Sequence, residues 1–389
     1  MITREEIRQL AQLESKSACA VSFYFQPQIP QDKSHRQEAI LIKDLVRESL
    51  RKAERRRNHA GLREDLQRIL GVAERLHGNH SRGKVIFACK EQGIWRELDL
   101  PPRLGRSLIT VNSRFHLQPL VAAHSGPPRT CIALVDRQKA RIFELQDDQL
   151  LQKPDLYFGV LPPVGRSDGY RGYEAGHRER HLENEVMLHF KQFAESLHLL
   201  LNQEGFALLL IGCRDEAWPE IQPHLGADLK RRLVERFLID PGTASPQEVR
   251  EQAGRLLAEF LKSEDQALVR EVVGEAQRNA RGALGLRHVL TALERQEVQT
   301  LVVSRDFEAQ AVECPNCRHL DTRMVRNCAV CGHETREISD VSDALVDLAL
   351  RNGAEIRFID DDAALEKAGR VGALLRFRAD QNTPQKVAV

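Results

Sequence analysis

Four cysteines have the spacing most specific for chemistry in this chain: Cys314-Pro315-Asn316-Cys317, ten residues, then Cys328-Ala329-Val330-Cys331-Gly332. Each C-x-x-C knuckle offers two thiolates from one tight turn, and four thiolates complete the closed tetrahedral shell that structural zinc prefers. With sulfur at every position there is no open place for an activated water, so the expectation is a structural Zn2+ staple. His319 and His333 stand nearby and could replace a cysteine, but four sulfurs make that unnecessary. The other cysteines, Cys19, Cys89, Cys131 and Cys213, lie singly in apolar strand-like runs, where reduced core thiols are expected.

A second stretch, residues 165–181, reads GRSDGYRGYEAGHRERH and carries four glycines, two tyrosines, two histidines and four arginines without a helix or strand period. Glycine lets a backbone come close to another surface, while guanidinium forks grip phosphates and tyrosine rings stack on bases. Arg166, Tyr170, Arg171, Gly172, Tyr173, Arg178 and Arg180 are therefore candidate RNA contacts. Glu174 and His177 can each accept a proton and are the candidates for acid–base work, although such groups in a loop more often meet solvent or phosphate. The plainer alternative is an ordinary surface loop. A third stretch ends the helix expected over 35–57, where Arg51, Lys52, Arg55, Arg56 and Arg57 could lie along a phosphate backbone. Basic residues at a helix C-terminus are also favoured by the macrodipole alone.

The elements that must carry these residues follow from pattern. The chain has 389 residues, 42% hydrophobic and 29% charged, as expected of a globular protein with several cores. No apolar run is long enough to span a bilayer, and residues 1–13 are too charged for a secretory signal, so no membrane association and a cytoplasmic location are expected. The net charge of +1 hides an asymmetry: residues 1–127 carry 22 Lys/Arg against 14 Asp/Glu, which suits a polyanionic partner. In that segment helices are expected over 2–13, 35–57 and 62–77, and strands over 19–25, 84–89, 94–98 and 115–122. Pro127 and Pro128 mark its end.

Next come strands 130–136, 139–146 and 206–212, a helix over 180–202, another over 227–237, and a long one to 279 from the capping-box-like Ser245-Pro246-Gln247-Glu248. The last part shows helices 284–295 and 342–352 with strands 300–304, 355–359 and 373–377. Helices and strands alternate throughout, so the fold class is α/β, with three α/β domains over 1–127, 128–280 and 281–380 and a polar tail over 381–389.

Two further segments carry a family likeness: Gly285-Leu286-Arg287-His288-Val289-Leu290-Thr291-Ala292-Leu293, and Gly369-Arg370-Val371-Gly372-Ala373-Leu374-Leu375-Arg376-Phe377. With the Gly-rich loop between a strand and a long helix, they make the chain from Thr130 onward resemble the archaeal and eukaryotic class I peptide release factors and their relative Pelota. The likeness is to a bacterial branch that includes a ribosome hibernation factor. In that family the first segment reads G-x-x-x-T/V-L-x-A-L and the last GGIGALLRY.

The resemblance implies an RNase H-like middle domain and a ribosomal protein-like C-terminal domain with a zinc-knuckle insertion. It also implies reach toward the peptidyl transferase centre, contact with rRNA of both ribosomal subunits, and docking to an elongation-factor-like translational GTPase. Release factors carry Gly-Gly-Gln at the loop tip, where the glutamine helps to place a water at the peptidyl-tRNA ester. Here the aligned residues 169–177, GYRGYEAGH, contain no glutamine. The expectation is a non-catalytic ribosome binder that occupies the acceptor site of idle or stalled ribosomes. The alternatives are a peptidyl-tRNA hydrolase acting in rescue and an interaction scaffold unrelated to the ribosome.

Overall fold

A computed structural model describes residues 4–15, 17–25, 36–54, 60–76, 83–100, 107–124, 127–146, 149–153, 173–338 and 340–378. Two units emerge: Met1–Ser125 together with Asp265–Val389, and Gly126–Glu264. The first segment runs α1 (Arg4–Gln12), β1 (Ala20–Phe25), α2 (Arg36–Glu54), α3 (Ala60–Leu76), β2 (Gly83–Cys89), β3 (Ile94–Leu100), β4 (Leu108–Asn112) and α4 (Gln118–His124). Its four strands form an antiparallel sheet in the order β3-β2-β1-β4.

Strand β1, AVSFYF, is buried along its whole length because both of its faces are covered. Side chains alternate across a strand, so Val21, Phe23 and Phe25 join Ile42 and Val46 of α2 and Leu62, Leu66 and Ile69 of α3. Ala20 and Tyr24 face the opposite layer, with Phe87, Leu120 and residues from the end of the chain. Between them the Ser22 hydroxyl accepts the His116 backbone N–H at 2.9 Å, and the Tyr24 hydroxyl donates to the His116 carbonyl at 2.5 Å.

The strand expected over 115–122 does not form. Gln118–His124 is the helix α4, opened by Pro119, whose fixed φ suits a first helical turn. The fourth strand is instead the β-branched run of β4, paired to β1 with Val21 opposite Val111. Short apolar runs of this length do not separate helix from strand by period.

The second unit holds β5 (Thr130–Val135), β6 (Ala140–Gln146), β7 (Gln149–Gln152), α5 (Tyr173–Glu204), β8 (Leu208–Cys213), α6 (Trp218–Ile221), α7 (Ala227–Arg232), β9 (Leu233–Leu238) and the first half of α8 (Pro246–Gln277). The sheet order is β7-β6-β5-β8-β9. The first three strands form a meander, and β8 and β9 are added in parallel on the other side of β5, which is the RNase H-like arrangement. Cys131, Ala133 and Val135 face Val186, Phe190, Phe193 and Leu197 of α5, whereas Ile132 and Leu134 face Val249, Ala253 and Leu257 of α8. The start of α8 is capped by Ser245, whose hydroxyl accepts the Glu248 N–H at 3.2 Å.

The helix expected over 227–237 stops at Arg232 and continues as β9. Leu229, Leu233 and Phe237 fit a helical period, but the short run LVERFL is also compatible with a strand, and pairing with the open edge of β8 decides.

The last segment contains β10 (Gly282–Leu284), α9 (Leu286–Glu294), β11 (Val298–Ser304), β12 (Ala311–Glu313), β13 (Leu320–Asp321), β14 (Arg336–Ile338), α10 (Ser342–Arg351), β15 (Glu355–Ile359), α11 (Ala363–Lys367) and β16 (Val371–Leu375). A mixed sheet in the order β10-β16-β11-β15 is its base. Val302 and Leu374 meet Val269 and Val272 of α8 on one face. On the other, Leu301, Val303 and Ala373 join Val289 and Leu293 of α9 and Leu345 and Ala349 of α10. That second layer is continuous with Tyr24 and Phe87 of the first sheet, so the two ends of the chain share one core. Gly282 is required where β10 crosses α8, because a Cβ there would stand 2.3 Å from the Ala276 nitrogen and 2.5 Å from the Val272 oxygen. Among the described residues no helix is long and apolar enough to cross a membrane.

Candidate functional site

The cysteine cluster is mounted on a three-stranded sheet in the order β13-β12-β14, with β12 running directly into Cys314. Each knuckle is closed by the same pair of backbone bonds. In the first, Cys314 N–H donates to the His319 carbonyl at 2.9 Å and Arg318 N–H to the Cys314 carbonyl at 2.8 Å. In the second, Cys328 N–H donates to the His333 carbonyl at 2.8 Å and Gly332 N–H to the Cys328 carbonyl at 2.9 Å. The residue after the second cysteine of each pair is left-handed: Arg318 at φ 62° and Gly332 at φ 77°.

These two turns bring all four sulfurs within 4.8 Å of one another, with Cys314 Sγ 3.3 Å from Cys331 Sγ and Cys317 Sγ 3.5 Å from Cys328 Sγ. A tetrahedral ion with sulfur at about 2.3 Å needs its ligands about 3.8 Å apart, so the cluster fits a metal of that kind. The Val330 N–H points at Cys328 Sγ at 3.4 Å, an outer contact that steadies a thiolate ligand.

Thiolate character is built in at one position. The His333 backbone N–H, then the Asn316 side chain, hold Cys331 down at about 5. At Cys317 the His319 backbone N–H acts the same way, but burial and the three neighbouring sulfurs outweigh it and push the thiol up to about 12. Neither histidine replaces a cysteine: His319 Nδ1 is 2.7 Å from the Glu294 carboxylate, and His333 Nδ1 is 3.2 Å from the Cys331 carbonyl. Among the described residues these four cysteines are the one cluster of metal-ligand type. The singly placed Cys19, Cys89, Cys131 and Cys213 are all buried, and burial pushes the Cys131 thiol up to about 12.

Beside the knuckles lies a charged joint that no short stretch of the sequence announces. Arg114 reaches Glu313 at 3.0 Å, Asp347 at 3.2 Å and Glu14 at 3.8 Å. Arg351 donates to the Ala11 carbonyl at 2.7 Å and pairs with Asp347 at 3.1 Å. Arg336 holds Glu313 at 2.6 Å, Arg318 pairs with Glu14, and His116 Nδ1 is 2.5 Å from Asp343. Burial raises the Asp347 carboxyl despite Arg351 and Arg114. The one local hint is that the first knuckle places Arg318 where the second has Gly332. In the other unit a second such group joins Arg129 and Lys153 to Glu144 and Glu204, with both Lys153 contacts at 2.8 Å.

The candidate RNA contacts are only partly described. Arg51 and Lys52 are exposed in the last turn of α2, with Lys52 paired to Glu48 at 2.7 Å. Arg55, Arg56 and Arg57 lie outside the described residues, as do Arg166, Tyr170, Arg171 and Gly172. Helix α5 begins at Tyr173, seven residues before the expected start, so Tyr173, Glu174, His177, Arg178 and Arg180 have helical backbone. Their side chains lie outside the described residues.

Residues 116–258 match the model of bacterial archaeo-eukaryotic release factor family 10. No curated protein matches the chain. Three solved structures show the range of likeness. An archaeal translation termination factor, aRF1, is 16% identical at a TM-score of 0.26, over 97% of this chain and 99% of that one. Ribosome-bound archaeal Pelota, from a structure with ABCE1, is 16% identical at 0.40, over 77% and 79%. S. cerevisiae Dom34, a translation termination-like factor of RNA quality control that interacts with Hbs1, is 9% identical at 0.41, over 97% and 95%. Over residues 116–258 the chain is thus similar to the bacterial branch of the archaeo-eukaryotic release factors.

Proposed function

We propose that this chain is a ribosome-binding translation factor that occupies the acceptor site of idle or stalled ribosomes without cleaving what it meets there. The observation that carries the reading is the family match over 116–258, which encloses a loop whose residues 169–177 lack glutamine. Without that side chain the group that places the attacking water in release factors is missing. What remains in the loop and the first turns of α5 suits grip: Arg166, Arg171, Arg178 and Arg180 for phosphates, Tyr170 and Tyr173 for bases, and Gly172 for close approach. The basic segment 1–127, with Arg51, Lys52, Arg55, Arg56 and Arg57, meets rRNA through phosphate contacts. The four thiolates hold Zn2+ as a structural ion, and an elongation-factor-like GTPase is the proposed delivery partner.

A peptide-release assay on stalled ribosomal complexes tests the non-catalytic part. The protein should release no peptide above the spontaneous rate, while Arg171→Ala with Tyr173→Ala should lower its occupancy of the large-subunit centre. Release that depends on Glu174 or His177 would make the protein a rescue hydrolase instead.

A further inference from the structure

The two knuckles differ at the residue after their second cysteine, and there the difference is costly. Both need a left-handed residue after their second cysteine; the second knuckle uses Gly332, for which φ 77° is free, while the first uses Arg318 at φ 62°. A non-glycine residue in this region pays a steric penalty from its Cβ, and such strain persists where the side chain gains something else. Arg318 gains an ion pair with Glu14, just after α1 at the other end of the chain. Glu14 is shared with Arg114, which in turn holds Glu313, the residue directly before Cys314. The metal turns are thus tied to the first segment both through Arg318 and through the strand that delivers Cys314.

We propose that Arg318 is a strut between the metal knuckle and the first segment, and that metal loading sets how firmly the two ends of the chain are joined. Empty, the turn 314–319 is no longer held by its sulfurs, and the guanidinium loses the fixed position from which it meets Glu14. The first segment then keeps its apolar layer and the Arg114, Arg351 and His116 contacts but loses the ion pair at Glu14 that Arg318 supplies. This rests on metal binding at the four thiolates and is independent of whether the protein binds ribosomes.

Hydrogen exchange on the full-length protein, with metal content measured in parallel, tests the strut. In the wild type, chelation should reduce protection by about tenfold or more in 311–338 and also in 4–15 and 107–117. Arg318→Gly, which satisfies the backbone and removes the side chain, should bind metal to the same stoichiometry and respond normally within 311–338. Its residues 4–15 should already exchange faster with metal bound and change little on chelation. Glu14→Gln, which leaves the knuckle untouched, should reproduce that behaviour. A wild-type response confined to 311–338, or an Arg318→Gly protein with wild-type protection at 4–15, would overturn the strut. A protein that takes up no metal would overturn it as well, while leaving the ribosome-binding reading to its own test.

Discussion

Cys331 and Glu204 show how single groups set measurable quantities. Cys331 is one of four sulfurs that lie within 4.8 Å of one another, so Cys331→Ser removes one candidate ligand of four. Structural zinc contributes on the order of 10 kcal/mol in small metal-organised domains, so even a partial loss should lower the unfolding midpoint of the part that contains the knuckle. Metal analysis with calorimetry should show sub-stoichiometric zinc together with that drop.

At Glu204 the Lys153 ammonium, assisted by Arg129, holds the carboxyl below its ordinary value of 4.5. The folded carboxylate ionises more readily than the unfolded one, so its stabilisation is complete above 4.5 and drains as pH falls through the depressed folded value. Lys153→Met should therefore flatten the acid side of the stability profile of Gly126–Glu264, measured by urea denaturation from pH 6 downward in a range of about three units.

Elements divide sharply into those written in local pattern and those decided by distant partners. Strands β1 and β5 are legible because fully buried strands read as unbroken apolar runs, and α5 and α8 because their apolar faces recur at helical spacing. The gathering of the four cysteines was legible because each knuckle is a local turn. Helix α4 and strand β9 were not, since both are short and their assignment depends on which sheet edge lies open. The charged joint was out of reach altogether, because Glu14, Arg114, Glu313 and Asp347 come together only through the shared core.

Close packing at one element crossing gives a direct check. A Cβ on Gly212 would stand 2.5 Å from Leu134 Cδ2 and 2.7 Å from Ile239 Cγ2, so Gly212→Ala should destabilise this unit by about 1–3 kcal/mol in urea titration. The end of α2 tests another. If it tracks a phosphate backbone, changing Arg55, Arg56 and Arg57 to Glu should weaken ribosome binding and flatten its salt dependence, by about 0.9 in log–log slope for each phosphate no longer neutralised. An unchanged slope would place those residues in solvent.

At the scale of the whole chain, the charge distribution and the partial family match point the same way. The surplus of Lys/Arg is confined to residues 1–127, whereas 128–279 carry 20 against 25 Asp/Glu and the remainder 15 against 17. The first segment is thus the part best suited to a polyanion, and the release-factor match lies at 116–258, with the glutamine-free stretch 169–177 inside it. The proposed division of labour gives affinity to the first segment and occupancy of the reaction centre to the loop. Co-sedimentation of the full-length protein with ribosomes from growing and from starved cells tests this most directly. The account predicts near-stoichiometric binding to ribosomes from starved cells, weaker binding to those engaged in elongation, and release of both as salt is raised. Absence from the ribosomal pellet under both conditions, at salt low enough to preserve phosphate contacts, would contradict it.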